Sequence, residues 1–414
     1  MNGFVSVRGG NFSIEGRPYR FVGANLWYGA YLGAGSGDRA RLRSELDRLA
    51  EIGVSNLRVL GASELSPLKN SLRPAFRDRA PPYNEDLLAG LDVLLAEMGA
   101  RGMRAVIYLG NFWEWSGGMA TYLYWTNGGR YIDMNDPAHP WPEFPDFSSQ
   151  FYASEAAVAL YRDYVSTLVG RTNSVTGRAY RDDPTIMSWQ LANEPRPGGS
   201  SEAAGQHMQS YQSWIAGTAR HIKSLDRNHL VSTGSEGLMG CVESARCVLE
   251  AHGSGDVDYL TAHIWPQNWS WVDPEDLPGT YARAEANTRA YITQHIGFAR
   301  RLQKPLVIEE FGFPRDGVAL EPGSPSVLRD RFYELIQSEV LESARTGGPL
   351  AGSNFWAWGG AGRAAHADRR MRPEDTSYVG DPPHEPQGWY SVFDADASTI
   401  ALISAHARAL AEAG

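Results

Sequence analysis

The chain has 414 residues, a formal net charge of −10, thirteen tryptophans and two cysteines. The charge comes from scattered carboxylates rather than an acidic tail, and it excludes the basic face that nucleic acid asks for. No apolar run is long enough to cross a bilayer, and Cys241 and Cys247, with no histidine pair nearby, make a poor zinc site and leave a local disulfide or two thiols open.

In chain order, Phe4 to Arg8 and Phe12 to Ile14, with a Glu15-Gly16 turn, read as a β-hairpin. The start carries neither a charged nor an apolar export region, so either the protein is cytoplasmic or a signal has been removed, and a secreted or periplasmic protein is the expectation favoured here. An alternation of strands and helices then begins. Arg20 to Leu26 is a strand, and a helix from about Asp38 places Leu42, Leu46, Leu49 and Ile52 on one face. Ser55 to Leu60 is the second strand, followed by a helix over Asn84 to Ala100. Arg104 to Leu109 is the third, running into Asn111-Phe-Trp-Glu-Trp115 and a long irregular segment, Ser116 to Phe147. A helix over Ser148 to Leu168 precedes the fourth strand, Thr185 to Leu191, and another over Ala203 to Leu225 precedes the fifth, Leu230 to Thr233. Tyr259 to Ile264 is the sixth strand, then come a helix over Tyr281 to Leu302 and the seventh strand, Leu306 to Glu310. A helix over Val327 to Arg345 leads to the eighth strand, Ser353 to Trp358, and a second long loop, Ala361 to Gln387, precedes a last helix over Thr399 to Ala411.

Eight strands alternating with helices predict a (β/α)₈ barrel preceded by a β-hairpin, and no linker divides residues 1–414 into more than one domain. An open doubly wound sheet is the alternative, weakened by the lack of a Gly-rich phosphate loop after an early strand. In a barrel the C-terminal strand ends share one rim. Arg58, Asn193, Glu194, Glu236, His263, Trp265, Glu310, Trp356 and Trp358 gather there.

Two of these strands end in carboxylates. Thr185-Ile-Met-Ser-Trp-Gln-Leu-Ala-Asn-Glu-Pro195 surfaces at Glu194, where Pro195 stops the strand. Leu306-Val-Ile-Glu-Glu-Phe-Gly312 ends in Glu309 and Glu310. A strand-end carboxylate often has only a structural partner, but two at the ends of separate strands are the minimum equipment for acid-assisted glycoside cleavage. Trp113, Trp115, Trp125 and Trp141 lie in mixed polar surroundings as either core plugs or outer sugar subsites, and the setting of the first two leans to subsites.

On Leu191-Ala-Asn-Glu-Pro195, Ile308-Glu-Glu-Phe-Gly312, Asn56-Leu-Arg58, His263-Ile-Trp-Pro-Gln-Asn-Trp269 and Phe355-Trp-Ala-Trp-Gly-Gly360, the sequence resembles glycoside hydrolase family 5 and its mannan-degrading branch. The resemblance implies a retaining double displacement, with Glu194 as acid/base and Glu310 as nucleophile. Arg58 would keep Glu310 ionised, Asn193 would bond the sugar 2-hydroxyl and Trp356 would lie under the sugar, with His263, Trp265, Trp113 and Trp358 completing the sugar-binding set. Glu309 is the rival nucleophile. Alternation along a strand would turn one of the pair toward the helices, and the family match places the nucleophile at Glu310. The family commonly has Tyr where Trp265 stands, so how Trp265 tunes Glu310 differs from the usual pattern.

The substrate implied is β-1,4-mannan, glucomannan or mannooligosaccharide, cut internally or from one end. A β-1,4-glucanase and a non-catalytic polysaccharide-binding barrel are the remaining alternatives. No metal or other cofactor, no nucleic-acid partner and no membrane are expected, and a monomer is. Acidic residues at Asp133, Asp136, Glu143 and Asp146 show no calcium-type spacing. The long loops 116–147 and 361–387 exceed ordinary connections. Asn127 and Arg130 in the first, and His366, Asp368 and Arg369 in the second, are residues able to bind a terminal sugar hydroxyl.

Overall fold

Eight parallel strands form the centre of the molecule in a computed structural model that describes residues 3–413. Ahead of them, β1 (Val5–Arg8), β2 (Asn11–Ile14) and β3 (Arg17–Pro18) make a small antiparallel sheet. The barrel strands are β4 (Phe21–Asn25), β5 (Asn56–Leu60), β6 (Arg104–Tyr108), β7 (Ile186–Gln190), β8 (Leu230–Ser232), β9 (Leu260–Ile264), β10 (Leu306–Phe311) and β11 (Leu350–Phe355). Each pairs with its neighbours in the order β8-β7-β6-β5-β4-β11-β10-β9, and a single parallel bridge between Ser232 and Tyr259 closes the ring. Every residue of these eight strands is buried, as expected of a parallel sheet covered on its outer face by helices.

Around the strands lie α1 (Gly29–Gly33), α2 (Arg39–Glu51), α3 (Glu85–Ala100), α4 (Gly118–Thr126), α5 (Glu143–Ser148) and α6 (Glu155–Val169). They are followed by α7 (Ser201–Leu225), α8 (Ala245–Gly253), α9 (Leu277–Leu302), α10 (Val327–Thr346) and α11 (Ala397–Glu412). Capping decides several starts. Asp38, Asn84, Ser154, Ser200, Ser244 and Asp276 each accept a hydrogen bond from a backbone N–H in the first turn. The Ser154 cap also shortens the helix expected from Ser148, because residues 149–153 form a tighter 3₁₀ turn before it.

Two readings of the sequence need correction, and one open alternative is decided. The stretch 116–147 is not irregular throughout but carries α4 and part of α5. Of the two states left open for the cysteines, the disulfide is the one present: Cys241–Cys247 ties the turn after β8 to α8. The eighth barrel strand stops at Phe355, and Trp358 belongs instead to β12 (Trp358–Gly360), which pairs with β13 (Val392–Phe393).

Candidate active site

β7 continues past Gln190 into Leu191-Ala-Asn-Glu, and the backbone then turns sharply. Glu194 adopts φ 51°, a left-handed conformation that costs a non-glycine residue about 1–3 kcal/mol. Its N–H bonds Gly234 O at 2.9 Å, which holds the turn and directs the carboxylate over the barrel mouth. There Glu194 Oε2 accepts from the Trp113 indole at 2.6 Å. Glu194 Oε1 accepts from His263 Nδ1 at 2.6 Å and from Trp265 Nε1 at 3.3 Å. The indole that replaces the usual tyrosine therefore donates to Glu194, not to Glu310.

Glu310 faces it from β10. Arg58 Nη1 donates to Glu310 Oε1 at 2.5 Å, and His263 Nδ1 lies 3.3 Å from Glu310 Oε2. One carboxylate oxygen of each residue, together with a His263 nitrogen, forms a group whose atoms all lie within 4.8 Å of one another. Burial disfavours charge on Glu310, but the nearby His263 and Arg58 cations outweigh it and pull its pKa below the ordinary value. His263 is the mirror case. Burial lowers its pKa, yet the Glu310 charge and hydrogen bonds to both carboxylates raise it to about 9, so the ring is a cation at neutrality. Among the described residues these three are also the one group with metal-ligand proximity.

Glu309 does not turn toward the helices. The β9–β10 register pairs Ile308 with Ala262 and then Glu310 with His263, so Glu309 is the extra residue of a bulge. Both glutamates consequently enter the barrel. Glu309 sits with Gln190 Nε2 at 2.5 Å, Tyr259 Oη at 3.1 Å and Arg58 Nε at 3.8 Å, beneath the rim. Arg58 is wholly buried there. It does not line the cleft, but it holds both Glu310 and Asn193, whose Oδ1 accepts from Nη2 at 2.7 Å. Asn193 Nδ2 donates to Asn111 Oδ1 at 3.1 Å, and its side chain borders the opening.

Above this layer lies a cleft of about 860 Å³ with Glu194, Glu310, Asn193, Trp113, Trp265 and Trp356 in its wall. Trp358 is absent from it. Because the chain bends away after Trp356, the Trp358 indole is buried and donates to Glu45 on α2 at 2.8 Å. The polar loop residues expected to meet a sugar are also elsewhere. Asn127 and Arg130 bond each other, while His366 pairs with Asp375, Asp368 with Arg372 and Arg369 with Glu321. Other residues of the same loops reach the cleft instead: Met134 and Trp141 from the first, and Pro382, His384 and Glu385 from the second. Arg196, ion-paired with Glu236, and Trp389 also line it. Arg196, two residues beyond Glu194, was readable from sequence, since it follows the same turn onto the rim.

The description "GH family 5 beta-mannosidase-like" matches residues 2–414. The chain belongs to glycoside hydrolase family 5. A family 5 mannosidase from Rhizomucor miehei superposes on this hydrolase with a TM-score of 0.90 at 35% identity, covering 99% of this chain and 98% of that one. The hydrolase is 31% identical over 371 residues to mannan endo-1,4-beta-mannosidase 1 of Oryza sativa subsp. japonica, covering 86% of this chain and 78% of the relative. It also shares its fold with the endo-1,4-beta-mannanase of Rhizomucor miehei, at 23% identity and a TM-score of 0.73, with coverage of 99% and 100%.

Proposed function

We propose that this hydrolase cleaves β-1,4-mannosidic bonds with retention, Glu310 attacking the anomeric carbon and Glu194 protonating the leaving oxygen. The observation that carries this reading is the approach of the two carboxylates, with oxygens within 4.8 Å. Retaining pairs stand roughly 5–5.5 Å apart and inverting pairs farther, to leave room for a water. Arg58 and His263 keep Glu310 ionised for attack. When it becomes an ester, Glu194 takes a proton from the incoming water. Asn193 has an amide hydrogen left for the sugar 2-hydroxyl, and Trp356 offers its ring from the wall. The mannose preference is supported by the relatives: the rice protein carries mannan in its name, and a variant of the fungal mannosidase was solved with mannosyl-fructose.

Within that reading, Glu385 favours attack from a chain end. Loop 361–387 carries it into the cleft, where its buried carboxyl group faces the Trp356 indole N–H in the same wall. Burial, with the charges of Asp381, Glu310 and Glu194, raises its pKa well above the ordinary value. A neutral carboxyl at that place both donates to and accepts from a free sugar hydroxyl. A glycosidic oxygen there has no proton to give and brings a further ring into the loop. The second reading, internal cleavage of mannan, is favoured by the printed endo-activity of relatives such as the rice enzyme. Time-resolved product analysis on mannohexaose decides between them. Mannose released from the first minutes, with little fall in galactomannan viscosity, fits end attack, whereas mannobiose and mannotriose appearing first overturn it.

A further inference from the structure

Trp141 is 61% exposed, although the other aromatic residues in the wall of the same cleft are buried or half-buried. An indole left in water forgoes the burial that large apolar side chains gain. This one is nevertheless held in place. Its ring stacks beside Trp113 at 6.3 Å between centroids and 28° between planes. The Arg196 guanidinium lies 5.9 Å from the Trp141 centroid and 5.1 Å from that of Trp113. The next residue, Pro142, packs on Gly199 so closely that a Cβ there would come within 2.8 Å of the proline Cβ. Gly199 N–H and Ser200 N–H both donate to Asp146 Oδ1 at 2.8 Å, which ties the insert to the segment following Glu194. Trp141 is thus a fixed, open aromatic surface.

Its place along the cleft follows from Trp113, whose indole donates to Glu194 Oε2. The wall runs outward from Glu194 through Trp113 to Trp141, and Glu194 is the group that meets the leaving oxygen. From this we infer that Trp141 is a stacking platform for the second sugar of the leaving group, giving the enzyme a preference for β-mannosides with two or more units beyond the bond cut. This inference rests on the acid/base role proposed for Glu194, though not on end attack. The occupant is a pyranose because the cleft reaches Trp141 continuously from the reacting carboxylates, and a flat indole face suits the C–H face of a sugar ring.

The test compares kcat/KM for mannotriose with that for mannobiose in the wild type, Trp141→Ala and Trp141→Phe. Trp141→Ala should lower the mannotriose-to-mannobiose ratio about tenfold, the size of a lost stacking contact, and Trp141→Phe should restore most of it. An unchanged ratio overturns the platform, as does an equal fall on both substrates with a lowered melting temperature. Calorimetric titration of mannobiose into Glu310→Ala, with and without Trp141→Ala, reads the same platform if the enzyme cuts only internally. Equal affinity in the two proteins overturns the inference there, while an internal product pattern by itself overturns only end attack.

Discussion

At the N-terminal end of the barrel, Val5, Phe12, Phe21, Met187, Leu230, Tyr259 and Val307 pack into an apolar plug beneath the small antiparallel sheet. At the C-terminal rim, Glu194, Glu310, His263, Asn193 and Trp265 crowd one opening, with buried polar atoms of Trp356, His263 and Glu385 lacking any protein partner. Both ends belong to the same eight strands. The difference teaches where each kind of residue is affordable: the plug is sealed from water, whereas the rim keeps desolvated polar groups beside an open cleft. Substitution should therefore separate stability from turnover by position along the strands.

The largest separation is expected at β10. Glu310→Ala should lower kcat by about 10⁴-fold or more while oligosaccharide binding stays measurable. Glu309→Ala, in the layer beneath, should act mainly through stability. An inactive, normally stable Glu309→Ala beside an active Glu310→Ala would reverse the assignment. Glu194→Ala comes next, with a loss of about 10²–10⁴-fold. Added azide should rescue it and yield the β-mannosyl azide, identified by nuclear magnetic resonance, whereas an α-azide would mean that no glycosyl ester forms on the opposite face.

The plug should respond in the opposite manner. Phe12→Ala should cost about 3–5 kcal/mol of stability in denaturant titrations and leave kcat almost unchanged. A large fall in kcat at unchanged stability would show that the two ends are not independent. The smallest effect is a pH dependence. The pKa of His263 rises from 6.5 to about 9 on folding, so its contribution to stability is full below 6.5 and is lost as pH rises through about 9. Thermal melting should therefore show an alkaline fall that His263→Ala lacks, and identical slopes in the two proteins would contradict the cationic ring.

The barrel was legible because hydrophobic runs of strand length alternate with helical periodicity, and parallel burial leaves that pattern intact. Glu194 was legible for a similar reason, as an ionisable residue at the point where Pro195 ends an apolar run. Glu309 was not, because strict two-residue alternation cannot register a bulge, and the extra residue changes which way a side chain faces without changing the sequence pattern. Trp358 misled for a related reason. Phe355 to Trp358 reads as one strand, whereas the chain leaves the barrel after Phe355 and carries the second indole to Glu45. Trp141 was legible only as a choice between core plug and outer subsite, and the cleft contributions of His384 and Glu385 depend on how a long insert folds back, about which local composition carries little information.

The bulge that admits both Glu309 and Glu310 has an arithmetic consequence. Three acids, Glu194, Glu309 and Glu310, share the barrel mouth with two cations, Arg58 and His263. Fully ionised, that inventory is one negative charge in excess, so an electrically neutral interior has room for one additional proton among the acids. Converting Glu310 to a glycosyl ester removes one anion, and transfer of the extra proton to the departing sugar leaves two acids facing two cations. Before and after the first half of the proposed reaction the interior carries the same net charge. A positive residue substituted for Glu309 would upset that balance by two charges at a position that never touches the sugar, and the resulting defect should appear as an altered pH–rate profile rather than as weakened binding.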